Sequence, residues 1–422
     1  MLESDEAARR LGIKVTTLYA YVSRGLLVSH PSPAGRKRLF ALDDVERLAR
    51  RSRQGKTVET RMATVTTGVT QLTDEGPFYR GRRATDLAVT TAYEDVADWL
   101  WHGPTGSGDI GEPGASGPWT AFELAPPPEM AALDRMRWVV VMAGAGDRLR
   151  SDLRPEVVTH TAARVAASMG EALAWPTPDA PSRPEVPLVL ADGRERPGSM
   201  AARLAARLSP DPGPALVRAV NAALVLMADH ELATSTLAVR VAASTRADPY
   251  DAVLAGLATL AGPLHGGASQ QAYSLLLEAK HHGAERALDD TLRWQGILPG
   301  FGHSVYRNGD ARYGVLIRLF EELAPAEDVA MVRTLVALAD EHRVPAPNVD
   351  LALAAVAWAT GMPPDAGRTI FAVARVAGWT AHYLEELDER PLRYRARAVY
   401  AARGRARPDA GTATPGPPTL GG

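Results

Sequence analysis

The chain has 422 residues, 46% of them hydrophobic and 23% charged, with a formal net charge of −2. That is apolar material for roughly two to three domains, and it excludes a wholly disordered chain or a uniformly basic nucleic-acid coat. Cysteine is absent, which excludes disulfides, thiolate zinc sites, iron–sulfur clusters and a cysteine nucleophile. No apolar run reaches spanning length; the longest, Leu351 to Thr360, stops at Gly361. The first residues lack a basic stretch followed by an apolar one, so a cytoplasmic location is expected. Of the 47 basic residues 43 are arginine, which speaks of codon usage rather than function.

Charge is unevenly spread. Residues 1–56 carry twelve basic and six acidic residues, a net of +6, on a remainder of net −8. A small basic module on a larger acidic body is the simplest reading. Within the module, Ser4 to Gly12 reads as a short helix, with a Ser cap, an acidic first turn and a closing glycine. Ile13 and Lys14 make a turn, Val15 to Arg24 a second helix, and Gly35-Arg36-Lys37-Arg38-Leu39-Phe40 a basic hairpin wing. Leu42 to Arg51 is a third helix with Val45 and Leu48 turned inward. Two short helices and a tight turn make the helix-turn-helix plan.

The segment Thr17 to Leu27, with Gly35 to Phe40 and Asp43 to Leu48, resembles MerR-like winged helix-turn-helix domains. The resemblance implies that Thr16, Thr17, Tyr19 and Tyr21 face double-stranded DNA and that Arg36, Lys37 and Arg38 hold its phosphates. The bland alternative is a small packing domain with solvated arginines.

Beyond residue 56 the pattern is helical. Leu216, Val220, Ala223, Leu224 and Met227 recur at helical spacing, as do Leu87, Tyr93, Val96 and Leu100. Helices are expected near 249–261, 267–280, 284–295, 311–323, 327–342 and 367–387, and a short one near 199–208 within the Pro-rich stretch 176–214. Strand signals are few and short. Residues 103–118 hold nine Gly or Pro in sixteen and read as a flexible loop, and the tail 402–422 reads as disordered. The fold class is all-α.

Three segments set polar residues among glycines or prolines, and beside glycine a backbone can approach a ligand closely. They are Gly262-Pro263-Leu264-His265-Gly266-Gly267, Gly300-Phe301-Gly302-His303-Ser304-Val305-Tyr306-Arg307 and Pro345-Ala346-Pro347-Asn348-Val349-Asp350. A histidine at a helix N-terminus is biased toward its neutral form, which can polarise a carbonyl. Two such histidines and a carboxylate suit proton abstraction beside a carbonyl. Each signal is weak alone. An aspartate after Asn-Val is ordinarily a helix cap, and a histidine beside glycine is as often structural as catalytic. His281-His282 reads as a solvated helix end, and no histidine cluster suggests a metal.

The three segments in this order, with Asp229-His230-Glu231-Leu232, the stretch Phe78 to Gly103 and Phe371 to Trp379, resemble the citrate synthase family over residues 57–401. The resemblance implies large and small helical domains, the small one roughly 267–365. It implies condensation of acetyl-CoA with oxaloacetate, with no cofactor beyond acetyl-CoA as co-substrate. By match, Asp350 is the base that removes the thioester methyl proton. His265 stabilises the enolate, and His303 polarises the ketone and protonates the alkoxide. His230, Arg312 and Arg375 hold oxaloacetate, and Arg307 meets CoA phosphates. The family also supplies an arginine from the partner of a homodimer. Arg390-Pro391 keeps that motif's dipeptide, but Arg395-Ala396-Arg397 keeps its frame and its distance from Arg375, and Arg395 is preferred.

Ala233 departs from the family's usual Asn, Ser269-Gln270 from Asn-Glu, and Asp310-Ala311-Arg312 lacks a proline. The first departure weakens oxaloacetate binding or admits another acyl-CoA. Three readings follow: citrate synthase, 2-methylcitrate synthase acting on propionyl-CoA, and a DNA-binding regulator whose body senses a metabolite.

Overall fold

The computed structural model describes residues 2–11, 15–23, 27, 29–31, 38–42, 44–45, 65–104, 119–177, 179–307 and 309–395. Two compact units divide the chain, Met1–Thr66 and Thr67–Gly422.

In the first unit, α1 (Ser4–Leu11) carries Asp5 and Glu6 in its first turn and Arg9 and Arg10 in its last, complementing the helix dipole at both ends. Helix α2 spans Val15–Ser23. Strands β1 (Leu2–Glu3), β2 (Ser29–Pro31) and β3 (Arg38–Phe40) form an antiparallel sheet in the order β1-β3-β2. Strands β2 and β3 are the legs of the expected wing; β1 had no signal in the sequence. Leu2, Ala7, Ala8, Leu18, Leu27, Phe40 and Val45 make the core of this unit. The turn at 12–14, Leu48 and most of the third helix lie outside the described residues.

The second unit opens on a small antiparallel sheet of β4 (Thr70–Thr73), β5 (Gly76–Tyr79) and β6 (Arg82–Arg83). Next come α3 (Ala84–Thr90), α4 (Tyr93–His102), α5 (Ala132–Gly146) and α6 (Pro155–Glu171). Most of the Gly/Pro-rich loop, 105–118, and the tail 402–422 lie outside the described residues. A two-stranded ribbon of β7 (Leu188–Val189) and β8 (Glu195–Arg196) leads to α7 (Met200–Leu208), whose cap Ser199 accepts the Ala202 N–H. Then follow α8 (Pro214–Met227), α9 (Thr234–Ser244), α10 (Pro249–Leu260), α11 (Ala268–His282) and α12 (Ala284–Gln295). The chain continues through α13 (Ala311–Leu323), α14 (Ala326–Glu341), α15 (Val349–Ala359) and α16 (Ala366–Leu387). The helix bounds expected from residue 249 onward differ from these by at most two residues. Exposed His281 and His282 close α11.

Helix α16 is the axis of the body. It is apolar on nearly every side, as a helix enclosed by others must be, and it packs on α4, α6, α8, α9 and α10. Gly378 lets it touch the end of α8: a Cβ there would lie 2.5 Å from the Ala228 carbonyl oxygen. The layer α11–α15, where the smaller domain was expected, packs largely on itself, with α13 also against α8. Among the described residues no helix is long and apolar enough to cross a membrane.

Candidate active site

Six of the histidine, arginine and aspartate residues singled out in the sequence line one cleft of about 400 Å³: His230, His265, His303, Arg312, Asp350 and Arg375. They come from five places in the chain, and local structure delivers each.

Helix α8 ends at Met227 and the chain turns through His230 into α9. Tyr79 closes this turn: its buried hydroxyl lies 2.9 Å from the Val225 carbonyl oxygen. Asp229, fully buried, accepts the Glu231 N–H through Oδ2, and the same oxygen lies 3.3 Å from His382 Nε2. The His303 and Asp350 loops are laced together. Gly302 N–H donates to the Ala346 carbonyl, Asn348 N–H to the Gly300 carbonyl, and Asn348 Nδ2 to the Gly302 carbonyl. Gly300 has φ +83°, and a Cβ there would stand 2.8 Å from that of Leu351; only glycine permits both the turn and the approach.

Asn348, not Asp350, caps α15, accepting the Asp350 N–H at 3.0 Å. Asp350 is thereby released from the capping role and sits in the first turn, facing the cleft. Asp310 does three things at once. It caps α13, grips Arg312 with two bonds of 2.9 Å, and accepts the Val349 N–H at the start of α15. That buried fork fixes the guanidinium of Arg312 beside His303.

Burial, with Arg312 and Arg375 next, holds His230 well below its ordinary range. Burial, then Arg375, brings His265 to about 4, and burial with Arg312 also lowers His303. All three are neutral at neutral pH. His230 and His265 shortly precede α9 and α11, as the expectation of a helix N-terminus requires, and burial with neighbouring arginines lowers all three. Burial pushes Asp350 up to about 6, and Arg312 only partly offsets it.

Hydrogen bonds assign the histidine protons. Trp379 Nε1, an obligate donor, reaches Ser235 Oγ at 3.3 Å, so the serine proton is free to go to His265 Nε2, 2.7 Å away. With the serine donating, the remaining proton of neutral His265 sits on Nδ1. His303 Nδ1 accepts the backbone N–H groups of Val305 and Tyr306, which places its proton on Nε2. That Nε2 stands 3.4 Å from Arg312 Nη2: two donors converge where an anionic or carbonyl oxygen would satisfy both. Arg375 is anchored by Nε to the Met227 carbonyl, and its buried Nη1 has no partner among the described residues.

Tyr306, Ser235 and Asp310 were missed in the sequence. Tyr306 bonds His230 Nε2 at 2.9 Å and stacks on His303. It lay inside a segment already singled out, and Asp310 stands two residues before Arg312. Ser235 carried no local signal.

Arg307 and Arg395 are exposed and are not among the residues lining this cleft. In the first unit Tyr19 is 43% exposed and Arg38 exposed, while Thr17 is half-buried. Arg36, Lys37 and the side chains of Thr16 and Tyr21 lie outside the described residues.

A family model described as the C-terminal domain of citrate synthase matches residues 57–397, and a helix-turn-helix domain model matches residues 1–53. The chain is 30% identical over 336 residues to 2-methylcitrate synthase 2 of Corynebacterium glutamicum, covering 74% of this chain and 86% of that protein. It is 31% identical over 357 residues to citrate synthase 2 of Bacillus subtilis, covering 79% and 92%. In fold it is similar to the citrate synthase of Thermotoga maritima, with a TM-score of 0.61 at 24% identity over 82% of this chain and 95% of that one. These likenesses define a condensing acyltransferase with an N-terminal helix-turn-helix domain. The chain belongs to the citrate synthase family.

Proposed function

We propose that the body condenses a short acyl-CoA thioester with oxaloacetate, with acetyl-CoA as the acyl donor, giving citrate and free CoA. The observation that carries this reading is the meeting of one carboxylate of raised pKa with three neutral histidines in a cleft walled by two buried arginines. A carboxylic acid near ~4 is too weak a base for a thioester methyl; Asp350 at about 6 is a stronger one. It takes the methyl proton while His265 Nδ1–H donates to the thioester oxygen, so that charge develops against a fixed donor. The new carbon–carbon bond forms at the oxaloacetate ketone. Its oxygen is held by His303 Nε2–H, which gives it the proton and recovers one from the water that enters for hydrolysis, while the proton held by Asp350 goes to the departing thiolate. Water cleaves the resulting thioester and releases the thiol. Arg312 and Arg375 suit the two substrate carboxylates, because a guanidinium fork matches a carboxylate in geometry as well as charge. His230, braced by Tyr306, adds a further contact. Nothing in this sequence of steps calls on a metal or a cofactor.

A homodimer completes the site, with Arg395 entering from the second copy. Helices α5, α10 and α9 pack side by side, and this layer exposes Val141, Met142 and Val241, apolar surface that a second copy would cover. Arg307, exposed two residues beyond the cleft residue Val305, is proposed to meet CoA phosphates.

Release of free thiol from acetyl-CoA, measured with and without oxaloacetate, tests the reading. Strict dependence on oxaloacetate is expected; thiol release that ignores it would refute condensation. One observation favours a second reading. Ala233 leaves the cleft with a methyl where a larger polar side chain is usual, and a 2-methylcitrate synthase is among the relatives. A higher kcat/KM with propionyl-CoA than with acetyl-CoA would establish it. The helix-turn-helix unit is proposed to bind double-stranded DNA, and a body that binds oxaloacetate without turnover would make the chain a metabolite-sensing regulator.

A further inference from the structure

Beyond α16 the chain forms a short arm, and the way it is fastened is unusual. Leu392 reverses the chain with φ +58°, in the left-handed region that a leucine rarely enters. Its N–H donates to the Ser244 carbonyl at the last residue of α9. The first residues of α9 border the cleft, so the arm is rooted about 16 Å away, one length of this 11-residue helix. The next two residues are fastened to a single fully buried carboxylate, Glu386. Arg393 donates Nε to its Oε1 at 2.7 Å and Nη2 to its Oε2 at 2.6 Å, and the Tyr394 hydroxyl lies 3.0 Å from Oε2. Arg240, also fully buried, reaches the same oxygen through Nε at 2.9 Å. Arg395 follows at once, exposed. Burying Glu386 and Arg240 removes two charges from water, which is unfavourable, so an apolar contact would dock an arm with less desolvation. What the fork adds is direction: it fixes the orientation of the backbone from which Arg395 departs.

We propose that Glu386, with Arg393, is a positioning clamp that aims Arg395 of one subunit into the active-site cleft of a second copy of the chain. This rests on the reading in which Arg395 is supplied in trans. The alternative is that Glu386 serves its own cleft through Arg240, His382 and Asp229, which form a chain of contacts: Arg240 Nη1 to His382 Nδ1 at 2.9 Å, and His382 Nε2 to Asp229 Oδ2 at 3.3 Å.

Subunit complementation separates the two. Full-length Arg393→Gln is the gentler variant, because it leaves Glu386 paired with Arg240; Glu386→Gln is the second. Each is mixed with Asp350→Ala or with Arg395→Ala, subunits are exchanged, and oxaloacetate-dependent thiol release is measured with acetyl-CoA and propionyl-CoA. The clamp acts on the arm, so at oxaloacetate well below the variant's KM, where Arg393→Gln alone is slow, it should regain activity with Asp350→Ala, toward about a quarter of wild type for random pairing of two-fold dimers. It should regain none with Arg395→Ala. Alone, it should raise KM for oxaloacetate more than it lowers kcat, as expected when ground-state binding is weakened. Recovery with Arg395→Ala but not with Asp350→Ala would overturn the proposal and assign the clamp to its own cleft. Recovery with neither, or wild-type kinetics of Arg393→Gln alone, would also overturn it. The control mixture of Asp350→Ala with Arg395→Ala must recover. If it does not, with exchange confirmed, the in-trans reading itself is what fails, and the proposal falls with it.

Discussion

His265 Nε2 lies 2.7 Å from the Oγ of Ser235, a fully buried serine on the first turn of α9. The serine in turn accepts from Trp379 Nε1 on the central helix, which leaves its own proton available for His265 Nε2. Ser235→Ala therefore removes the bond that puts the His265 proton on Nδ1, and it leaves the indole N–H unpaired. A lost buried hydrogen bond of about 1–3 kcal/mol corresponds to roughly fivefold to 150-fold in kcat. KM for oxaloacetate should stay near wild type, because Ser235 touches His265 rather than the arginines. A kcat within twofold of wild type would remove Ser235 from the account.

Asp350 is held at about 6 by burial, and this has two opposite consequences. Activity needs the carboxylate, so kcat/KM should rise with pH through about 6 and level off. Asp350→Ala should cut turnover by roughly 10²–10⁴-fold, the usual worth of a positioned base. Stability runs the other way. A carboxyl whose folded pKa is raised contributes stability below the unfolded pKa and loses it as pH rises through the folded one. Asp350→Asn should thus be more stable than wild type at pH 7.5, by about 1–3 kcal/mol at 1.4 kcal/mol per pKa unit. The gain should vanish below pH 4. Thermal unfolding at the two pH values measures it, and equal melting temperatures at pH 7.5 would contradict the raised pKa.

The boundaries of most helices from 249 to 387 were legible because Gly, Pro and capping residues punctuate them, as Asp248 before Pro249 and Asp310 before α13 do; the cap of α15 was read two residues late, on Asp350 instead of Asn348. His265 and His303 were legible because they stand among glycines, one of which, Gly300, has a backbone conformation that admits no other residue; His230, Arg312, Asp350 and Arg375 were legible as site residues through the family resemblance. What was not legible is what depends on distance in the chain. Nothing near Ser235 announces that it meets His265, thirty residues on, or Trp379 on α16. Nothing near Glu386 announces Arg240. The burial that helps keep the histidines neutral was not legible for the same reason: it is a property of the packed body, not of the neighbouring sequence.

Ala233 is the N-cap residue of α9 and borders the cleft, yet it offers no side-chain cap. Asparagine is a strong N-cap, so Ala233→Asn should stabilise the protein by about 1 kcal/mol. It should also narrow the cleft, shifting the kcat/KM ratio away from propionyl-CoA and toward acetyl-CoA. One methylene is worth only about 1–3 kcal/mol in a pocket, so a shift of roughly tenfold is the scale to look for. Denaturant midpoints and the two thioester rates read both effects. An unchanged ratio would take Ala233 out of the acyl side of the cleft.

The helix-turn-helix unit yields the last prediction. Tyr19 exposes its ring while its hydroxyl, 2.9 Å from Ser4 Oγ, is tied to the first helix. Arg38 lies exposed on the wing strand, its Nη1 on Ser29 Oγ at 3.0 Å. A ring presented from α2 and a cation presented from the wing are the two kinds of contact that read and grip a duplex. If each unit neutralises about three phosphates with the wing cations, a dimer neutralises about six, and the slope of log affinity against log salt should be near −5. Removing residues 1–56 should abolish binding and leave condensation intact, because every residue assigned to the chemistry lies at 230 or beyond. Arg38→Ala should weaken binding to all sequences alike and flatten the salt slope by about one unit per neutralised phosphate lost. Tyr19→Ala should change which sequences are preferred. Fluorescence anisotropy with genomic duplex fragments across a salt series measures all of these. Affinity indifferent to salt, or truncation that unfolds the enzyme, would instead make the unit a packing domain of the body.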